Sequence, residues 1–174
     1  YQRWPLWAAG RAQSVGTLRL ELCQAHRLPI GDSKMVTENG KKVDRGSSDP
    51  YVIIECAGHK VRSRTLYKTL NPVWDQTFEL RGELGEFLDS PLIFHVWDKD
   101  TFSKDDALCR VTVDLAEALK SKGRAEIVAG APGQPKVLDL TNTDCKPELF
   151  FNIEWHASGD AGNQFARQDS GKGK

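Results

Sequence analysis

The sequence lacks any run of 18 apolar residues, so nothing in it reads as a bilayer-spanning helix. It also lacks a charge bias. Twenty-four basic residues and 24 acidic ones cancel, which excludes the overall basic surplus of most nucleic-acid binders. The four cysteines, Cys23, Cys56, Cys109 and Cys145, are far apart and form no C-x-x-C pair, so reduced thiols are expected rather than a disulfide framework or a zinc site. No basic region precedes the short apolar Trp4–Trp7 stretch, which is too brief for a signal-peptide core. The chain opens on Tyr1 rather than Met, and we expect it to be a piece of a longer protein.

What is present is an ordinary soluble composition, 39% hydrophobic and 28% charged over 174 residues. A chain of this length buries roughly 70% of its unfolded surface and needs no metal merely to fold. Apolar and polar residues alternate in several stretches, the period of a half-buried strand. Leu18, Leu20 and Leu22 share a face; so do Val52, Ile54 and Cys56; Trp74, Phe78 and Leu80; Leu92, Phe94 and Val96; Cys109, Val111 and Val113; and Leu149, Phe151, Ile153 and Trp155. A short stretch at 137–140 and a polar one at 60–66 bring the expected strands to eight. One helix is expected, where Asp114 and Glu117 form a D-x-x-E capping box. The pattern predicts an all-β fold, an eight-stranded antiparallel β-sandwich with one short helix. Residues 1–15 read as an N-terminal extension, 16–156 as the domain, and 157–174, rich in Gly, Ser, Asp and Lys, as a flexible tail or linker.

The chemistry concentrates in Trp97-Asp98-Lys99-Asp100-Thr101-Phe102-Ser103-Lys104-Asp105-Asp106. An apolar strand ends and releases four carboxylates within nine residues. Their mutual repulsion opposes folding unless a positive charge joins them. Calcium fits best, because it accepts six to eight oxygens at flexible geometry, whereas magnesium demands a strict octahedron. An EF-hand loop is excluded: its sixth position would be Ser103 and its twelfth Cys109, where Gly and Glu are needed. The Asp98-Lys99-Asp100-Thr101 segment also resembles the nucleophile motif of haloacid-dehalogenase phosphatases, but the residues that follow read as strands rather than as the required α/β fold. For an isolated D-x-D, a solvated acidic loop is the default reading.

Three further blocks change the weighing. His26-Arg27-Leu28-Pro29-Ile30-Gly31-Asp32 follows the first strand, Ser48-Asp49-Pro50-Tyr51-Val52 opens the next, and Lys68-Thr69-Leu70-Asn71-Pro72-Val73-Trp74 precedes another. With the acidic loop, these closely resemble the C2 domain family, the calcium- and phospholipid-binding sandwich of protein kinase C, synaptotagmins and phospholipases. The resemblance spans roughly residues 16–156, and the late strand 148–155 makes the strand order resemble the phospholipase-C-like (type II) topology. It implies that Asp32 and Asp49 on a first loop and Asp98, Asp100 and Asp106 on a third loop hold calcium, two or three ions, with Ser103 as auxiliary ligand. A one-residue slip would exchange Asp106 with Asp105. It further implies that Phe102 enters the bilayer from the loop tip, with Met35 and Val36 as candidates for the same role.

Lys60, Arg62 and Arg64 share one strand face, with Lys68 nearby. In the family such a stripe binds phosphoinositides, each cation contributing about 1 kcal/mol near an anionic leaflet; alternatively it protects an edge strand from aggregation. Three departures stand out. The 33–48 stretch is long and holds Lys34, Lys41, Lys42 and Arg45, forming a short helix or a flap. Cys109 stands where the family usually has Gly, and Thr101 replaces a frequent Arg. The expectation is therefore a non-enzymatic, calcium-dependent phospholipid-binding module of a larger cytoplasmic protein in membrane trafficking, lipid transfer or signalling. It would be monomeric as an isolated domain and peripheral on anionic membranes carrying phosphatidylserine or phosphoinositide, with further protein partners open. The alternative is a calcium-independent protein-interaction or phosphoinositide-binding module on the same sandwich.

Overall fold

A computed structural model describes residues 4–120, 123–131, 137–139 and 145–159. The alternating stretches become the strands β1 (Val15–His26), β4 (Pro50–Cys56), β5 (His59–Arg62), β6 (Val73–Glu83), β7 (Pro91–Asp98), β8 (Asp106–Asp114), β10 (Val137–Asp139) and β11 (Glu148–Ala157). Three more appear between them: β2 (Met35–Glu38), β3 (Lys41–Asp44) and β9 (Arg124–Ala129). One four-stranded sheet runs β6-β1-β11-β9 and a five-stranded sheet runs β10-β8-β7-β4-β5, each antiparallel throughout. The first and last long strands are neighbours, so both chain ends of the sandwich are tied into one sheet.

The two sheets face each other across the residues whose alternation marked them. Leu18, Leu20, Leu22, Val52, Ile54, Trp74, Leu92, Phe94, Val96 and Val111 are fully buried, with Phe151 and Ile153 nearly so. Phe94 of β7 meets Phe151 of β11 with ring centroids 4.2 Å apart, which locks one sheet against the other. Burying each such side chain contributes roughly 1.5–3 kcal/mol.

The structure corrects the sequence-based expectation at three places. The 33–48 stretch is not a helix but the β2–β3 hairpin, turned by Asn39 and Gly40, both at positive φ (49° and 75°), as a two-residue hairpin turn requires. Asp44 fixes its base, accepting from the Ser33 hydroxyl and from the amides of Lys34 and Gly46, both at 2.8 Å. The polar strand ends at Arg62, so Arg64 lies beyond it and not in register with Lys60 and Arg62. A helix α1 (Leu84–Asp89) precedes the expected one, α2 (Leu115–Ala118), whose cap Asp114 does accept from the Glu117 amide at 3.2 Å. The described part of the N-terminal extension packs on the sandwich: Ala8 is fully buried, Trp7 packs against the core, and the Trp4 indole donates to Asp89. Of the stretch expected to be a tail, Ala157 ends β11, and residues 160–174 lie outside the described residues.

Candidate metal centre

Three connections meet at one end of the sandwich: a first loop from Arg27 to Asp49 carrying the hairpin, a second from Ser63 to Pro72, and a third from Lys99 to Asp105. The sequence blocks that flank them work as latches. Ser48, fully buried, accepts from the Gly31 amide at 2.8 Å and donates to the Pro29 carbonyl at 2.7 Å, which folds the first loop back on itself. Asn71 accepts from the Arg27 amide at 3.0 Å, and the Leu28 amide donates to the Leu70 carbonyl at 3.0 Å, which joins the first loop to the second. Trp74 is fully buried beneath them. Each latch gives loop backbone groups a partner within the protein.

These latches bring the acids together. Asp32, Asp98 and Asp100 each offer a carboxylate oxygen within 4.8 Å of the other two. Asp98, the last residue of β7, is fully buried. Its Oδ1 accepts from the Asp49 amide at 2.6 Å, while its Oδ2 has no hydrogen-bond partner. Burial first, and then the neighbouring charges of Asp32, Asp100 and Asp49, push its pKa up to about 6, with the Asp49 amide opposing. The first-loop backbone lies directly on this carboxylate: a methyl placed on Gly31 would fall 1.6 Å from Asp98 Oδ2, so only glycine leaves room for it.

The other expected ligands are placed as follows. Asp49 sits beside the cluster, but its Oδ1 accepts from the Lys68 amide at 2.7 Å. Asp106 is exposed at the start of β8 and directly opposite Asp98 in the β7–β8 ladder, so the two side chains leave the sheet on the same face. Ser103 is exposed in the third loop. Asp105 is differently engaged. It accepts from the Tyr51 hydroxyl at 2.5 Å, the Asp100 amide at 3.0 Å and the Lys99 ammonium at 3.3 Å, and these donors hold its carboxyl below the usual range. Among the described residues, no Lys, Arg or His side chain forms an ion pair with Asp32, Asp49, Asp98 or Asp100.

A calcium ion fits this donor set. The cluster is all oxygen, with no histidine or thiol in it, and one of its oxygens is buried without a partner. A hard cation satisfies both features, and calcium tolerates the irregular backbone that presents them.

Of the residues expected to meet lipid, Lys60 lies away from the cluster, paired with Glu55 five residues along β4 from Pro50, which faces Asp98. Phe102 projects from the third loop entirely exposed, and Met35 is 58% exposed on the hairpin, while Val36 is half-buried. The second loop adds Tyr67, 69% exposed, which no sequence pattern singled out. Lys60 faces Glu55 at 3.4 Å, and Arg62 lies over the Tyr51 ring, 4.0 Å from its centroid. The Arg64 guanidinium donates to the Trp74 carbonyl across to β6, and Lys68 is exposed beside the cluster.

Comparison with known proteins agrees with this architecture. The family model for the C2 domain matches residues 16–128, more than half of the chain. The chain belongs to the C2 domain family. It is similar to synaptotagmin-5 of Arabidopsis thaliana, 37% identical over 52% of this chain and 14% of that protein, and to human synaptotagmin-11, 35% identical over 60% of this chain and 23% of that protein. The chain thus spans less than a quarter of the length of these relatives. Among solved structures, the calcium-bound tandem C2 domains of extended synaptotagmin 2 match with a TM-score of 0.60 and 26% identity, over 82% of this chain and 46% of that one. Human GIVD cytosolic phospholipase A2 shares the fold at a TM-score of 0.61, with 21% identity over 84% of this chain and 17% of that one. No helix among the described residues is long and apolar enough to cross a membrane.

Proposed function

We propose that this chain is a calcium-dependent phospholipid-binding module of a larger protein, acting in membrane trafficking, lipid transfer or signalling and carrying no chemistry of its own. The observation that supports it most is Asp98, a buried carboxylate with one unpartnered oxygen, clustered within 4.8 Å of Asp32 and Asp100. In this reading Asp32, Asp98 and Asp100 form the centre, Asp49 and Asp106 complete it, and Ser103 adds a hydroxyl. Two or three calcium ions held there would supply the positive charge and open coordination positions that phosphate or carboxylate oxygens of a lipid headgroup can fill.

The protein's own residues do the rest. Before metal binds, the acidic cluster repels an anionic leaflet and keeps the module off it. Phe102, entirely exposed, would bury its ring among acyl chains, worth roughly 1.5–3 kcal/mol. Met35 and Val36 of the hairpin add apolar contact. Lys60, Arg62, Arg64 and Lys68 select for phosphatidylserine or phosphoinositide through charge, about 1 kcal/mol for each cation that stays near the surface. Lys60, whose ammonium pairs with the Glu55 carboxylate, and Arg64, whose guanidinium serves the Trp74 carbonyl, contribute least. The module works as a monomer, peripheral on the cytoplasmic face of the membrane.

Co-sedimentation with phosphatidylserine vesicles in calcium and in chelator tests this. The module pellets with vesicles only in calcium. Equal pelleting in both conditions would reject the proposal in favour of a calcium-independent lipid- or protein-binding module.

A further inference from the structure

The β7–β8 connection, from the last residue of β7 to the first of β8, carries Asp98, Asp100, Asp105 and Asp106. Unrestrained, such a turn would splay under its own charge and would have to be ordered again on binding a cation. Asp105 is the exception among these acids, because both of its oxygens are taken up by donors. Oδ1 accepts from the Asp100 amide at 3.0 Å and from the Lys99 ammonium at 3.3 Å, closing the turn on itself. Oδ2 accepts from the Tyr51 hydroxyl at 2.5 Å. Tyr51 is only 6% exposed and stands in β4 opposite Trp97 of β7, so it belongs to the rigid sheet and not to the loop. Its ring is fixed on the other side by Arg62 of β5, whose guanidinium carbon lies 4.0 Å from the ring centroid.

We propose that Tyr51 and Asp105 are positioning residues: a strut from the sheet to the third loop that holds Asp100 beside Asp32 and Asp98 before any cation arrives. The proposal rests on the calcium-binding reading for its functional consequence. It assigns Asp105 a role distinct from that of a ligand, although it is adjacent in sequence to Asp106. Preorganisation of this kind raises affinity by removing the ordering cost, not by adding a contact.

The test uses the full chain and two variants, Tyr51→Phe and Asp105→Asn, with their double variant. Tyr51→Phe keeps the ring under Arg62 and deletes only the hydroxyl. In calorimetric calcium titration each single variant is expected to bind about 3- to 10-fold more weakly, the range set by one intramolecular hydrogen bond. The double variant should be no weaker than the weaker single, since both break one linkage. Amide hydrogen exchange in chelator gives a second readout that needs no calcium: residues 99–105 should exchange faster in Tyr51→Phe while β4 and β7 stay protected.

If Asp105 were a ligand, Asp105→Asn would abolish the calcium heat and Tyr51→Phe would leave affinity unchanged or raise it; either result overturns the strut. So does unchanged exchange of the turn in Tyr51→Phe. Wild-type protein that gives no calcium heat sinks the calcium reading instead, and the exchange measurement still decides whether the strut exists.

Discussion

Asp49 addresses Asp98 through its backbone and Lys68 through its side chain. Its amide donates to Asp98 Oδ1 at 2.6 Å, while its own Oδ1 accepts from the Lys68 amide at 2.7 Å. The Lys99 amide returns the contact by donating to the Asp49 carbonyl at 3.0 Å. One residue thus ties all three loops together at the point where the acids converge. The geometry makes the site a property of the sandwich end and not of any single loop.

Because Asp98 is buried beside two further carboxylates, it costs stability when no cation is present. Replacing it by Asn keeps an acceptor for the Asp49 amide and removes the buried charge. Asp98→Asn is therefore expected to raise the melting temperature in chelator while weakening calcium binding. A lower melting temperature in chelator would mean that the charge is already compensated.

Gly31 is required for space. Gly31→Ala would put a methyl 1.6 Å from Asp98 Oδ2, and either the loop or the carboxylate must move. The expected cost is about 1–3 kcal/mol, the usual penalty for overpacking. Urea titration in chelator measures it, and an unchanged midpoint would show that the first loop yields freely.

Phe102 separates lipid contact from folding. It is entirely exposed, so Phe102→Ala should leave the melting temperature unchanged. Vesicle affinity in calcium should fall by about 1.5–3 kcal/mol, roughly 10- to 150-fold. Unchanged vesicle affinity would remove this residue from the membrane contact.

Cys56 tests the core. Burial pushes its thiol up to about 12, well above the ordinary thiol, so the reactive thiolate is scarce in the folded protein at pH 8.5. The stability this burial contributes is fully present below pH 9 and is lost as pH rises from about 9 towards 12. Peptide mapping after iodoacetamide treatment should find Cys56 unmodified in native protein and alkylated in urea. Rapid native alkylation would contradict the packing of β4.

Much of this was legible in the sequence because sheets write their burial with period two. Leu18, Leu20 and Leu22, or Leu92, Phe94 and Val96, need no structure to be placed inside. The hairpin was harder, since only Met35, Val36 and Val43 are apolar there, although Asn39-Gly40 was a readable turn signal. Strand β9 offers only Ile127 and Ala129 as fully inward residues, and α1 begins at Leu84 after Glu83, which makes no side-chain cap to announce it. The spacing of Asp98, Asp100 and Asp106 marked the acidic loop. What sequence could not disclose is how neighbouring acids divide their work. That Asp105 is occupied by Tyr51, 54 positions away, is a product of strand pairing and not of local pattern.

The central claim is that Asp32, Asp98 and Asp100 share calcium. Isothermal calorimetry of the wild type beside an Asp98→Asn, Asp100→Asn double variant tests it most directly. A saturable calcium heat in the wild type that vanishes in the variant is the predicted result; equal heats in both proteins, or none in the wild type, would contradict it.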